Sequence, residues 1–396
     1  MTAKSNTMHR VCIIRHGYYP RDPRVLKEVR ALFESGYSVD VLCLRHEGQN
    51  RQEEVDGVHI YRLSHQHRRG SLSRYIYEYC LSFLKMTVMA TVLFFRHRYH
   101  CIQVNTLPDP LVFVTIIPRI FGAKVLLDMQ EPAPELFITK YGSGKNSVLL
   151  KLIILLEQLS LKYANASLTV NESLRERFIQ RGAQEKKIHI VRNVPDENFR
   201  PGVLNQTVGN GLTLMTHGMI EERYGQEMII RALPLVRDKI EHLQLYIAGY
   251  GQVEKLRKLA QELGCSDIVT FTGLVSFSRI RELIGAADIG IVPLQRSPFS
   301  ELCQPNKLFE YIACKKPVIA SRLRAIEESF DDSCLMFFEP GSHKDLARCI
   351  IDLYQNPAKQ QYLVENAYSR FEPICWNQTK RTYLNVVNNL TGRNIE

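Results

Sequence analysis

Lys307 and Glu310 stand three residues apart in Pro305-Asn306-Lys307-Leu308-Phe309-Glu310, within a stretch that reads as loop, helix and buried strand up to Ser321. Such a segment is equipped to hold a nucleoside diphosphate. Exposed N–H groups at a helix start and the Lys307 ammonium attract phosphates, while a carboxylate one turn later accepts hydrogen bonds from ribose hydroxyls. Pro305 suits a first helical position, where its missing N–H costs nothing. Pro317 opens the strand, where no ladder donor is lost. An ordinary helix–strand unit with a solvated Glu310 would have the same local sequence, so this segment alone leaves both readings open.

Further groups gather at other strand ends. A strand ending in His217-Gly218 is followed by Met219-Ile-Glu-Glu-Arg223-Tyr-Gly225 and a helix. Gly218 permits close backbone approach, and the Arg223 guanidinium can bind two oxygens of a pyrophosphate. Gly249 and Gly251 supply a tight turn beneath a base or sugar. In the first half, Arg15-His16-Gly17-Tyr-Tyr-Pro-Arg21-Asp-Pro-Arg24 follows a strand. Gly17 leaves room there for a ligand, and Arg21 or Arg24 can meet an anionic group, although a basic loop before the helix-opening Pro23 is the plainer reading of Arg24. Asn105 and Asp109 lie at one strand end and Asp128, Gln130, Glu131 and Glu135 at another. Each of these fits a cap or turn equally well when taken singly. Together, acids in the first half and basic, glycine-rich turns in the second suit a hydroxylated acceptor on one side and a phosphorylated donor on the other.

These groups must be positioned by alternating elements. Strands are predicted at 11–14, 38–44, 59–63, 101–104, 124–127, 166–170 and 188–191, with helices at 23–34, 110–121 and 172–181 among them. The second half repeats the plan with strands at 212–216, 243–248, 268–271, 288–292, 317–320 and 335–338, and helices at 226–236, 253–263, 279–286, 307–314 and 344–354. Continuous apolar strands alternating with helices indicate α/β architecture with parallel sheets covered on both faces. With 396 residues, the chain exceeds the ~250–300 at which single cores stop growing, so two domains are expected. The Pro-, Gly- and Asn-rich stretch 193–211 reads as the linker. The expected division is 1–200 for the acceptor domain, 201–375 for the donor domain, and 376–396 for a C-terminal helix crossing back to the N-terminal domain. Doubly wound sheets bind ligands at their carboxyl ends, so the cleft between the domains is the expected site.

The net charge of +10 suggests an anionic partner. No zinc-finger spacing or RNP-like aromatic stretch supports nucleic acid. Ten cysteines without a CxxC pair, and no secretory leader, lead to the expectation of a reducing cytoplasm. Basic residues cluster at Arg62, Arg68, Arg69 and Arg74 and at Arg96 and Arg98, flanking the apolar run 80–95. That run carries Lys85 and is shorter than the ~20 residues needed to span a bilayer, so it is not expected to cross. It is either a buried domain helix or one lying among lipid headgroups, and 148–161, with Lys151 and Glu157, has the same two readings. Peripheral attachment to an anionic membrane surface, on the inner face, is therefore one expectation.

The motifs as a set resemble the retaining glycosyltransferases of family GT4, with the GT-B fold of two Rossmann-like doubly wound domains facing a central cleft. The resemblance runs through the 15–24 segment, Gly36-Tyr-Ser-Val-Asp-Val, Asn105-Thr-Leu-Pro-Asp109, Leu127-Asp-Met-Gln-Glu-Pro-Ala-Pro-Glu-Leu136, Ala287-Asp-Ile-Gly-Ile-Val-Pro-Leu294 and Pro305-Asn-Lys-Leu-Phe-Glu-Tyr311. It implies transfer of a sugar from a UDP- or GDP-linked donor to a hydroxyl of a glycan or lipid-linked acceptor, in cell-surface polysaccharide synthesis, with neither cofactor nor divalent metal. The chain has no Asp-x-Asp.

Carried residue by residue, the resemblance implies that Glu310 is the second glutamate of Glu-x7-Glu and binds ribose. The first should fall at Leu302. Either Glu301, one place off, serves instead, or N–H groups of residues 303–306 and Lys307 take that part. The family's Gly-Arg and Lys-Gly read Gly218-Met219 and Tyr224-Gly225 here, which makes Arg223 and Lys307 the candidate cations. Asp-x-His-(Asp/Glu) reads Asp128-Met-Gln130-Glu131. Gln130 can orient a hydroxyl but cannot take its proton, which fits a front-face reaction in which the departing phosphate oxygen collects it. The implied catalytic set is thus Glu301, Arg223 and Lys307. Donor binding falls to Gly218, Arg223, Gly249, Gly251, Pro305, Asn306, Lys307, Leu308 and Glu310, and the acceptor side to Gly17, Arg21, Asp109, Asp128, Gln130 and Glu131. Two rivals share the scaffold. One is a nucleotide-sugar epimerase; the other is a catalytically silent nucleotide-sugar-binding subunit, suggested by Leu302, Met219 and Gln130. A dehydrogenase is disfavoured because no Gly-x-Gly-x-x-Gly follows the first strand.

Overall fold

Short β-branched runs form parallel strands in both halves of the chain. A computed structural model describes residues 8–64, 72–142, 147–197, 199 and 211–393. By its contacts the chain divides into one unit of Met1–Arg192 with Thr379–Glu396 and another of Asn193–Gln378. The division therefore falls at the start of the stretch read as a linker, whose residues 198 and 200–210 lie outside the described residues, as do Arg68 and Arg69.

The first unit is built on β1 (Arg10–Tyr18), β2 (Ser38–Arg45), β3 (Gln52–Val55), β4 (Val58–Ser64), β5 (Cys101–Asn105), β6 (Lys124–Met129), β7 (Ala166–Thr169) and β8 (Ile188–Ile190). Their order is β3-β4-β2-β1-β5-β6-β7-β8. Every pairing is parallel except β3 against β4. Val11, Cys12, Ile13 and Ile14 are buried, as strands covered on both faces require. β1 continues to Tyr18 with an irregularity after Ile14, so Gly17 belongs to the strand end and not to a loop. β3 was not anticipated: Gln52, Glu53 and Glu54 carry no apolar signal, and a charged, short edge strand is how sheets discourage further pairing.

The second unit contains β9 (Leu212–His217), β10 (Leu243–Ala248), β11 (Val269–Gly273), β12 (Ile289–Val292), β13 (Val318–Ser321) and β14 (Met336–Phe338), all parallel, in the order β11-β10-β9-β12-β13-β14. Leu214, Leu245, Ile289 and Ile319 from the strands pack with Ile229, Ile230 and Leu233 of helix Gln226–Arg237. Strand order reverses beside β1 in the first sheet and beside β9 in the second. Each sheet thus has its topological switch point at the carboxyl end of its own first strand.

Several helices differ from expectation. The predicted helix at 110–121 is a 3-10 segment, Asp109–Thr115, followed by Ile116–Ile120, because Val112, Val114 and Thr115 are β-branched and Pro118 removes a donor. Helix Pro357–Phe371 buries Leu363, Ala367 and Phe371 at a spacing of four and was not anticipated. The last helix is Trp376–Thr391; from Thr379 on it belongs to the first unit, where the Tyr383 hydroxyl donates to Gln103 Oε1 on β5 at 2.7 Å. Helix Leu72–His97 is longer than the run at 80–95 suggested, and its Glu78–His97 part reaches 20 residues, so the expectation that it is too short to cross a bilayer is corrected on length. It buries Ser82, Met86, Ala90, Leu93 and Phe94 on one face and exposes Leu84, Val88, Val92 and Phe95 on another.

Candidate active site

In the second unit, β9 ends in Thr216-His217 and the chain turns at Gly218, with β10 alongside. The Gly218 amide donates to Ala248 O at 2.8 Å. A Cβ on Gly249 would stand 1.8 Å from the Gly218 carbonyl oxygen, and one on Gly251 would stand 2.3 Å from that of Ile220. Both residues have positive φ, +151° and +129°. Both glycines therefore let two turns meet backbone to backbone, in the tight turn expected at this strand end.

Helix Asn306–Ala313 begins beside this shelf. Pro305 is the N-cap in an extended conformation, one place before the first helical position expected of it, and no side chain caps the helix. Lys307 is only 7% exposed. Its Nζ lies 3.4 Å from Thr216 Oγ1 and 3.9 Å from where a Cβ on Gly218 would be. Burial pushes the ammonium down to about 8, with the charge of Glu310 holding it up in part. A buried cation at the positive end of a helix is opposed both by desolvation and by the helix dipole. The Thr216 hydroxyl and the Glu310 charge offset these costs only in part, and an incoming anion would relieve both.

Glu310 lies one turn on. Its Oε2 is 2.9 Å from His217 Nε2, and among the described residues neither atom has an aligned hydrogen-bond partner, so the two groups are in close approach. His217 was missed at the sequence level; its position directly before Gly218, at the end of the central strand, was the signal available. Leu308 is fully buried and its amide donates to Pro305 O at 3.1 Å, so it supports the helix from the core and offers no donor-binding group. The Cys303 amide donates to Ser300 O at 3.4 Å, and Pro305 has no amide. Of the amides proposed for residues 303–306, these two are therefore not offered to a ligand. Asn306 is half-buried at the first helical position.

Glu301 does not replace the missing glutamate as an open carboxylate. Its Oε2 accepts from the Arg324 amide at 2.9 Å, at the start of helix Arg324–Glu327, and Arg296 Nε lies 3.5 Å from its Oε1. Leu302 is core. Arg223 sits in the turn Glu222–Tyr224, with Nη2 3.0 Å from Glu221 Oε2 and its guanidinium over the rings of Tyr224 and Phe299. Its Nε is buried without a hydrogen-bond partner among the described residues.

In the first unit, Asp128 at the end of β6 is a structural acid. It is buried and accepts from Arg24 Nε and Nη2 at 2.8 and 2.7 Å, from Asn105 Nδ2 at 2.7 Å and from Gln130 Nε2 at 2.9 Å. Arg24 also donates to Val191 O at 2.9 Å and lies 3.1 Å from Glu28. Burial, partly offset by Arg24, pushes Glu28 up to about 7. Asp128 is thus not a rim carboxylate awaiting a hydroxyl, and the amide nitrogen of Gln130 is engaged in satisfying it. Asp109 is likewise withdrawn: 3% exposed, with one oxygen lacking a hydrogen-bond partner. Burial and then the charges of Glu157 and Glu131 hold its carboxyl well above the usual range. Arg21 and Glu131 are exposed.

Residues 211–356 match the family described as glycosyl transferases group 1, and residues 9–194 match the glycosyl transferase 4-like domain. The chain is 25% identical over 219 residues to D-inositol 3-phosphate glycosyltransferase 2 of Catenulispora acidiphila, an overlap of 50% of this chain and 49% of that one. It spans about half the length of the curated relatives it matches. Among solved structures, the sucrose-phosphate synthase of Thermosynechococcus elongatus is similar at a TM-score of 0.78 and 18% identity, with 98% of this chain and 100% of that one covered. HepE of Anabaena, in complex with UDP and glucose, is similar at 0.72 and 16%, with 96% and 100% covered. At such identities the likeness concerns the fold, which is that of the GT-B glycosyltransferases.

Proposed function

The chain belongs to the group 1 glycosyl transferases, and from that premise we propose that it moves a hexose from a UDP- or GDP-sugar to a hydroxyl of a glycan or lipid-linked acceptor, with retention and without a divalent metal, in cell-surface polysaccharide synthesis. One observation carries the donor half of this reading: the buried, partner-poor Lys307 ammonium at the uncapped start of helix Asn306–Ala313, with Glu310 one turn on. HepE, a fold relative, was solved with UDP and glucose, in keeping with a nucleotide-sugar donor.

On this reading Lys307 and the first-turn amides meet the diphosphate, and Glu310 accepts from the ribose hydroxyls. The bond from the anomeric carbon to the phosphate oxygen breaks, and the acceptor oxygen bonds to the same face. The acceptor proton passes to the departing phosphate oxygen, so no side-chain base is needed. Lys307 stabilises the charge that grows on the diphosphate, the role in which fixed donors and cations give most to catalysis.

The test is incubation of the full chain with UDP- and GDP-sugars and a panel of glycan and lipid-linked acceptors, with the product's anomeric configuration read by NMR. Release of nucleoside diphosphate with a product of the donor's configuration is expected. Sugar interconversion without acceptor would mean an epimerase. Donor binding with no turnover would favour the silent subunit, the reading that the buried Leu302 and the engaged Glu301 support.

Lys307 also sets a pH dependence. A phosphate favours the charged amine, so above about pH 7, where the terminal phosphate has already lost its second proton, affinity for a nucleoside diphosphate is expected to fall as pH passes about 8, where the free protein loses the lysine proton. Above pH 8, binding should then take up a proton. Titration calorimetry in buffers of different ionisation enthalpy measures this directly.

For the first unit we propose attachment to an anionic bilayer surface. Its exposed apolar side chains include Leu84, Val88 and Val92 on helix Leu72–His97, Ile120 and Phe121 after the 3-10 segment, and Val148 and Leu152 on helix Val148–Tyr163. Phe95 and Phe121 pack edge to face at 5.1 Å, and Arg119 stacks on Tyr163 at 4.2 Å, so these elements share one surface. Lys85, Arg96, Arg98 and Lys151 are exposed on the same helices or at their ends, the charge complement of anionic headgroups. Flotation with vesicles containing an anionic lipid is expected to carry the protein, and Val88→Glu with Leu152→Glu to release it. Equal recovery with and without those substitutions would remove the proposal.

A further inference from the structure

Glu310 and Lys307 lie three residues apart on one helix, a spacing at which opposite charges ordinarily pair. They do not pair here. Glu310 instead turns to His217, whose Nε2 stands 2.9 Å from its Oε2. Both side chains are largely withdrawn from solvent, at 11% and 15% exposure, and neither of those atoms has a hydrogen-bond partner.

The imidazole packs against a buried ring. Its ring meets the edge of Tyr311 at 5.5 Å and an interplanar angle of 83°. Tyr311 is buried, and its hydroxyl donates to Met215 O at 3.2 Å. On its other side Gly290 of β12 leaves the room it needs, since a Cβ there would approach the ring to 2.4 Å. Tyr311 thus closes one side of His217, while Thr216, its neighbour on β9, contacts Lys307. Two adjacent residues at one strand end thus hold the two charged groups of the helix apart.

We propose that His217 is a positioning residue for nucleotide recognition: it holds the Glu310 carboxylate away from Lys307, so that the carboxylate meets the ribose diol while the ammonium meets the diphosphate. This rests on the donor-site reading above and adds to it the residue that keeps the two subsites separate. Without the imidazole, Glu310 would turn to Lys307, and each group would be taken from its ligand.

The test compares UDP with 2′,3′-dideoxyuridine diphosphate, and GDP with its dideoxy counterpart, by titration of the full-length protein. Two hydroxyls donating to a carboxylate are expected to give the native protein a preference of about 10- to 100-fold for the ribose form. Glu310→Ala should erase it. His217→Ala should reduce it to within about threefold, and His217→Gln, which keeps an N–H donor, should restore most of it. His217→Ala should also move the alkaline fall in UDP affinity to higher pH, since Glu310 would then hold the Lys307 charge more strongly. A packing role alone would change neither the preference nor that profile. Should His217→Ala not fold, His217→Gln and Glu310→Gln, with matched thermal unfolding, carry the comparison. Full ribose preference in a folded His217→Ala overturns the proposal while leaving the donor site standing. Failure of the native protein to bind either diphosphate overturns both.

Discussion

Lys307→Met is expected to slow transfer severely and yet to stabilise the second unit. A buried ammonium whose proton is held at about 8, against about 10.4 in an unfolded chain, costs the folded state on the order of 3 kcal/mol at neutral pH. The sign follows from proton counting. Below pH 8 the lysine is charged in both states and the full cost is present; between about 8 and 10.4 the unfolded state binds more protons, so stability rises with pH. Methionine has similar length and no charge to desolvate, and replacing buried charge by packed apolar groups is commonly neutral or stabilising. Loss of a cation aimed at developing charge lowers turnover by about 10²–10³. Opposite signs in one variant, measured by calorimetric unfolding and by initial rates, are the mark of a residue kept for function at the expense of stability. A variant less stable than the native protein would make Lys307 part of the scaffold.

Arg24→Met has the opposite profile and the largest effect on stability. It leaves Asp128 and Glu28 buried without their cation, and breaking a buried pair from one side costs about 3–5 kcal/mol. For a unit of this size that is a fall of roughly 10 °C in its unfolding transition. The loss should depend on pH. Glu28 is pushed up to about 7 in the folded protein, above the ordinary value near 4.3. The folded state thus binds more protons across that interval, and this contribution to stability is present at low pH and is lost as pH rises through 7. Removing Arg24 makes protonation of Glu28 more favourable still, so the destabilisation should be smaller at pH 5 than at pH 8. Nucleoside diphosphate affinity, a property of the second unit, should not change. Unfolding scans at the two pH values and a single titration check all three statements.

The alternation of elements was legible because parallel strands covered on both faces are mostly apolar, as 11–14 of β1 and all of β12 are. Elements lacking that signature were not: β3 is nearly all polar, and helix Pro357–Phe371 has only three buried residues on a largely polar background. In the site, the Lys307 and Glu310 pair could be read because both lie on one short helix. Asp128 could not, because its partner Arg24 is 104 residues away and a strand-end aspartate looks the same whether it meets a ligand or a buried guanidinium. The i,i+4 spacing of Arg24 and Glu28 was the local clue to that cluster. Leu308 shows the converse error, in which adjacency to functional residues suggested a ligand contact although the helical period turns it into the core. Glu301 misled for a related reason, since a carboxylate one place from a motif position can cap a neighbouring helix as readily as it can serve a site.

The most direct measurement is titration calorimetry of UDP and of GDP into the full chain at pH 7, for the native protein, Lys307→Met and Glu310→Ala. One of the two nucleotides is expected to bind the native protein, and each substitution to weaken it by about tenfold or more, the worth of a charge-assisted contact. Native-like affinity in both variants would contradict the assignment of helix Asn306–Ala313 as the donor site.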